Sequence, residues 1–131
     1  MKSLKGIHHV CIKAPSLERM EQAVEFYTRV FGMPVIRRWG QGEKSACMVD
    51  TGAGILEIMA DGSGNAPGPI PHVALAVTGV DEWVELVRKE GCTITMEPQD
   101  KLLPSQPPFP VRIAFFQGHA GELVELMEEK E

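Results

Sequence analysis

An internal repeat constrains this chain more than any other feature. GIHHVCIKA, residues 6–14, and PHVALAV, residues 71–77, each set a His directly before an apolar β-like run, so that His9 meets His72, Val10 meets Val73 and Ile12 meets Leu75. Each run leads into an amphipathic segment ending in Gly, then into three short β-like runs, the last with a lone Glu among apolar residues. Those last runs are GILEIMA (54–60) and GELVELM (121–127), and Glu57 falls opposite Glu125. Modules this short cannot each bury a core, so two copies are expected to share one body. The expected fold is α+β: two βαβββ modules, 6–60 and 71–128, joined by a linker at 61–70 in a single domain covering 1–131. Their strands should form a cupped, barrel-like mixed sheet with the helices outside.

A chain of 131 residues with 44% hydrophobic and 24% charged residues has the composition of a globular domain, which excludes disorder and a membrane class. No apolar run approaches the roughly 20 residues that span a bilayer, and MKSLKGIHHV lacks the apolar centre of a signal peptide. A soluble, cytoplasmic protein is the expectation. The net charge of −5 comes without any basic stripe to displace counterions from phosphates, which argues against nucleic acid as a partner. Cys11, Cys47 and Cys92 are odd in number and have no C-x-x-C spacing, so reduced thiols are expected rather than a disulfide framework or a Cys-rich zinc site.

In the first module, alternation puts Ile7, His9, Cys11 and Lys13 on one face of a strand and His8, Val10, Ile12 and Ala14 on the other. The adjacent histidines therefore point to opposite faces. Pro15 and Ser16 stop the strand, and the Ser16 hydroxyl can cap the helix that follows. Leu17, Met20, Val24, Tyr27 and Phe31 keep helical spacing up to Gly32, with Glu18, Glu21, Glu25 and Arg29 on the solvated face. MPVIRRW, GQGEK and SACMVDT read as a hairpin, followed by a turn and the strand ILEIMA. A carboxylate in so apolar a strand must be solvated, paired or bound to a cation; for one Glu alone, a wet sheet face is the simplest explanation.

DGSGNAPGPIP, 61–71, is the Gly- and Pro-rich linker. In the second module His72 shares a strand face with Ala74 and Ala76, which leaves room before the imidazole, while Val73, Leu75 and Val77 point to the core. Val80, Trp83, Val84, Leu86 and Val87 make the stripe of a second helix, with Asp81 favouring its start and Gly91 its end. CTITMEP alternates as a strand. EPQDKLLPSQPPFP, 97–110, has five prolines that should forbid a central strand or helix; a surface loop and a lid carrying Leu102, Leu103 and Phe109 are the two readings. VRIAFFQ then pairs with GELVELM through GHAG, whose His119 is expected to be exposed. Leu123, Glu125 and Met127 share a face as Ile55, Glu57 and Met59 do, which excludes Glu122 as the equivalent of Glu57.

Four side chains from four strands thus stand at matching places in a repeat: His9, Glu57, His72 and Glu125. Two neutral imidazoles and two carboxylates carry a net charge of about −2, which is repulsive without a cation and suits one divalent metal, with nickel, cobalt, manganese, iron and zinc all compatible with mixed N/O ligation. Separate core or surface roles give no reason for the coincidence. Lys13 and Arg112 are candidate anchors for an anionic substrate, and Phe109 a candidate pocket wall.

The repeated βαβββ pattern, with H-V opening and L-E-I or V-E-L closing each module, resembles the vicinal oxygen chelate superfamily, the glyoxalase, bleomycin-resistance and dioxygenase group. The two-His, two-Glu set most resembles glyoxalase I, lactoylglutathione lyase. That resemblance implies metal ligation by His9, Glu57, His72 and Glu125, chelation by vicinal substrate oxygens, and proton transfer through a metal-bound enediolate. Glu125 would be the base and Glu57 its partner in the return step. A homodimer acting on a small molecule is implied as well. Where glyoxalase I has an Arg and an Asn four residues beyond its first two ligands, this chain has Lys13 and Asp61, and Gly68 stands where a basic side chain is usual. Glutathione is therefore not the expected thiol. A methylmalonyl-CoA-type epimerase uses the same enolate logic, and a bleomycin-resistance-like drug-binding protein is the non-catalytic alternative.

Overall fold

The computed structural model describes residues 8–60, 72–103 and 108–130. The chain divides into two compact units, 1–66 and 67–131, and the division falls inside the linker expected at 61–70, which lies outside the described residues. The first unit contains β1 (His9–Ala14), α1 (Leu17–Val30), β2 (Val35–Trp39), a 3-10 turn, β3 (Ala46–Asp50) and β4 (Ile55–Ala60). The second contains β5 (Val73–Ala76), α2 (Val80–Lys89), β6 (Thr93–Leu103), β7 (Phe109–Gln117) and β8 (Leu123–Glu129). Their sheets have orders β1-β4-β3-β2 and β5-β8-β7-β6, each parallel at the first pairing and antiparallel at the other two. The α+β class and the duplicated βαβββ plan are both observed. In each unit the first and last strands are neighbours, which brings the His of one beside the Glu of the other.

Strand β1 shows why. His9, Cys11 and Lys13 are exposed, whereas Ile12 and Ala14 are buried under α1, as period-two alternation requires. The hydroxyl of Ser16 accepts from the Arg19 backbone N–H at 3.2 Å and caps α1 without a capping box. The helix ends where Gly32 takes a positive φ of 71°. Its buried face is wider than the spacing alone suggests. Ala23 and Phe26 join Met20, Val24 and Tyr27 in the core, Phe26 packing edge-to-face on Tyr27 and Phe31. On the outer face Glu25 pairs with Arg29, and Glu21 reaches Arg38 of β2.

In α2 the buried stripe is Val80, Val84 and Val87. Leu86, expected in that stripe, is 39% exposed because it lies roughly 100° around the helix from Val87, off the face those three residues define. Asp81 lies in the first turn, as anticipated, and also accepts two hydrogen bonds from Arg112 of β7.

The Pro-rich segment corrects a larger expectation. Residues 97–103 are not loop: β6 continues through Pro98 to Leu103, and β7 starts at Phe109. Pro98 is tolerated because β6 is the sheet edge and its register shifts between Met96 and Gln99, so its missing N–H breaks no regular ladder. Leu102 and Leu103 pair with Pro110 and Phe109 at the end of this hairpin; Leu102 is 67% exposed and Phe109 half-buried. Residues 104–107 lie outside the described set. At the β7–β8 turn, the Glu122 carboxylate accepts from the Ala120 backbone N–H at 3.0 Å and occupies the space where a Cβ on Gly118 would stand. His119 in that turn is half-buried rather than exposed. Among the described residues, no helix is long and apolar enough to cross a membrane.

Phe26 has no exposed surface in the first unit's core. Phe26→Ala should lower unfolding stability by about 3–5 kcal/mol in chemical denaturation; a loss below about 1 kcal/mol would show that this side chain is not part of the packed core.

Candidate functional site

The parallel pairing of β1 with β4 sets Cys11 beside Glu57 and His9 beside Ile55. His9 and Glu57 therefore share a face one step apart along the strands. In the second unit Ala74 stands beside Glu125, and His72, immediately before β5, lies two residues back from Ala74. The offset is the same. His9 Nε2 lies 3.4 Å from Glu57 Oε1, and His72 Nε2 lies 3.2 Å from Glu125 Oε1. The burial repeats too: Glu57 and Glu125 are 8% and 6% exposed, while the imidazoles are open to solvent for more than a third of their side-chain surface.

A carboxylate buried in an apolar strand demands compensation. Among the described residues, the imidazole is the partner the structure gives each of these two acids. The two rings are steadied differently. His8, expected on the opposite face from His9, instead precedes β1, where alternation does not hold it, and is exposed with its Nδ1 2.9 Å from His9 Nδ1, one donating to the other, which leaves His9 Nε2 toward Glu57. His72 is held by the Phe115 ring, edge-to-face at a centroid distance of 5.4 Å.

Phe115 of β7 is opposite Glu125, and Met48 of β3 is opposite Glu57. Across the first sheet this gives a row Cys11, Glu57, Met48, Arg37; across the second, Ala74, Glu125, Phe115, Met96. Met48, Phe115 and Arg37 were not picked out from the sequence. Strand alternation carries each one's parity, but which strand neighbours which, and in what register, is a property of the assembled sheet.

The other candidates fare unequally. Lys13 is exposed on the face of β1 that carries His9. Arg112 is engaged elsewhere: its Nε and Nη2 donate to Asp81 at 2.7 and 2.8 Å, and Nη1 donates to Asp100 at 3.1 Å. These hydrogen bonds raise the guanidinium's pKa further and lower that of Asp81. Such a compensated cation offers little to an anionic substrate. Phe109 sits at the start of β7, paired with Leu103. Asp61 and Gly68 fall outside the described residues.

Among the described residues, no group of three or more His, Cys, Asp or Glu side chains is arranged to hold a metal ion; the candidate ligands stand in pairs, one pair to each unit. Each pair offers one imidazole nitrogen and one carboxylate oxygen on a common face, with an acid that has no other partner among the described residues. That donor chemistry fits a share in a divalent cation.

The sequence matches the family model described as Glyoxalase/Bleomycin resistance protein/Dioxygenase superfamily over residues 6–126. Curated protein sequences gave no match. Similar solved structures include TioX from Micromonospora sp. ML1, at 24% identity and a TM-score of 0.68, with 95% of this chain and 99% of that one covered. A glyoxalase/bleomycin resistance protein/dioxygenase from Alicyclobacillus acidocaldarius has 15% identity and a TM-score of 0.69, with 100% and 96% covered. The trypanothione-dependent glyoxalase I of Leishmania major has 23% identity and a TM-score of 0.69, with 95% and 87% covered. At these identities the likeness is one of fold.

No disulfide joins the three cysteines; Cys11 is exposed beside Glu57 and the other two are buried. Burial pushes the Cys92 thiol up to about 11 and also raises that of Cys47. Iodoacetamide at pH 8 should therefore alkylate Cys11 on the native protein and reach Cys47 and Cys92 only after unfolding, as read by peptide mass spectrometry. Equal labelling of all three in the native state would contradict this placement of the β1 face.

Proposed function

Because the chain belongs to the Glyoxalase/Bleomycin resistance protein/Dioxygenase superfamily, we propose that it is a metal-dependent lyase or isomerase of the glyoxalase I type, acting on a small hemithioacetal or thioester-like substrate. One observation carries this reading: the same His–Glu pair, with the same strand offset and nearly the same burial, recurs in both units. Packing explains neither acid, since an apolar residue would serve a sheet better at either place. A shared cation explains both.

His9, Glu57, His72 and Glu125 would hold one divalent ion, of Ni, Co, Zn, Mn or Fe, supplied by one chain or by two chains of a homodimer. When bound, such an ion supplies a Lewis acid that stabilises negative charge developing on substrate oxygen. The chain's own residues handle the proton. Glu125 Oε1 takes the C–H proton from the carbon bearing hydroxyl and sulfur and passes it to the oxygen on the neighbouring carbon, which becomes the new hydroxyl; Glu57 takes the original hydroxyl proton as the carbonyl forms and gives it to the neighbouring carbon, so both carboxylates end deprotonated. Substrate and product are isomers, so no oxidant or reductant is needed. His8 and Phe115 act by fixing the imidazoles. Ala74 and Ala76 on β5 leave open space on the exposed face beside His72.

The competing reading, a drug-binding protein without catalysis, gives no reason to keep two buried acids. An epimerase would use the same four residues and differ in what the pocket holds.

The test is turnover by nickel- or cobalt-reconstituted protein on hemithioacetals of methylglyoxal with several thiols, read as thioester formation. Activity with at least one thiol is expected, and Glu125→Gln should reduce kcat by about 100-fold or more. Unchanged kcat in that variant would remove Glu125 from the chemistry. A wild-type protein that takes up no divalent metal would favour the drug-binding reading.

A further inference from the structure

We propose that Arg37 is the specificity determinant of this site, selecting substrates that carry a second, anionic group such as a carboxylate or phosphate at their far end. The proposal rests on the catalytic reading above for the position of the reacting end and on the first sheet for everything else.

Arg37 lies on β2 directly opposite Met48, which lies opposite Glu57 on β4. The three therefore stand in one row on one face, and two interstrand steps put the backbone of Arg37 about 10 Å from that of Glu57. Its neighbour Arg38 has the opposite parity and pairs with Glu21 of α1 at 2.8 Å on the helix side. Adjacent arginines thus serve opposite faces.

What distinguishes Arg37 is its company. Arg29, Arg38, Arg88 and Arg112 each donate to a carboxylate. Arg37 is exposed, and among the described residues its partner is the Met48 thioether, with Nη1 3.7 Å from Sδ. A thioether is a weak acceptor that neutralises no charge. Four of its five N–H donors in a planar fork are thus left for an external anion, in the geometry that takes carboxylate or phosphate in bidentate fashion. Trp39, two residues on and 42% exposed, flanks the same face, while Ala46 opposite it adds no bulk.

The second sheet has no counterpart. The place of Arg37 in its row is taken by Met96, opposite Phe115. The repeat keeps its acid and its imidazole in both copies but has an arginine at this place in the row in one copy only. A guanidinium on one side of a duplicated ligand set suits a substrate with one reacting end and one charged end.

The probes are 2-oxoglutarate and 2-oxopentanoate, which share adjacent carboxylate and ketone oxygens and chain length but differ in the distal carboxylate. Calorimetric titration into cobalt-loaded and metal-free protein should give at least about tenfold tighter binding of 2-oxoglutarate in each form, the size expected for a charge-assisted contact. Arg37→Gln should remove the difference without weakening 2-oxopentanoate, and Arg38→Gln should preserve it. Absence of a preference in the wild type, or its persistence in Arg37→Gln, would overturn the proposal. Metal uptake is measured separately in the same samples: a wild type that binds no cobalt defeats the catalytic reading, whereas the comparison of the two probes still decides the role of Arg37.

Discussion

The organisation of this protein follows from two carboxylates placed where carboxylates are unfavourable. Glu57 and Glu125 lie in the last strands of their units between buried Leu56 and Ile58, and between buried Val124 and Leu126. An isolated charge buried there costs on the order of several kcal/mol. The imidazole across the parallel pairing offsets part of that cost, and because it reaches solvent it leaves the acid accessible from one side. The outcome is a polar pair at the mouth of an apolar sheet, twice over.

The topology makes this possible. In a βαβββ unit the chain returns its last strand beside its first, so residues at the two ends of the unit become lateral neighbours. Parallel pairing then fixes which residue of β1 or β5 meets the acid. The helix supports this from the far face: Met20, Val24 and Tyr27 in α1, and Val80, Val84 and Val87 in α2, bury the side of each sheet that the site does not use. Packing and chemistry occupy opposite faces, so that alternation along a strand separates the two roles residue by residue.

Much of this was legible from the residues in order. The repeat, the strand faces of His9 and His72, the Ser16 cap and the Gly32 and Gly91 stops all follow from local pattern, and the structure agrees on each. Local pattern failed where a neighbour decided the outcome. Pro98 reads as a strand breaker until β6 is known to be an edge. Leu86 reads as core until the helix is rotated against its sheet. The partners of Arg112, Asp81 and Asp100, lie 31 and 12 residues away in the chain and are not visible in local pattern. The sequence RR at 37–38 does not say which arginine faces the helix; the pairing of Arg38 with Glu21 does. Each miss concerns tertiary partners, which periodicity does not encode.

Under the proposed function both pairs serve a single ion. Metal content of the purified, cobalt-reconstituted protein measures this most directly. One ion per chain is expected in the wild type, with its loss in both His9→Ala and His72→Ala, since each would remove a ligand from the same centre. Two ions per chain, or retention of full stoichiometry in either variant, would mean that the pairs act separately and that duplication did not build one site.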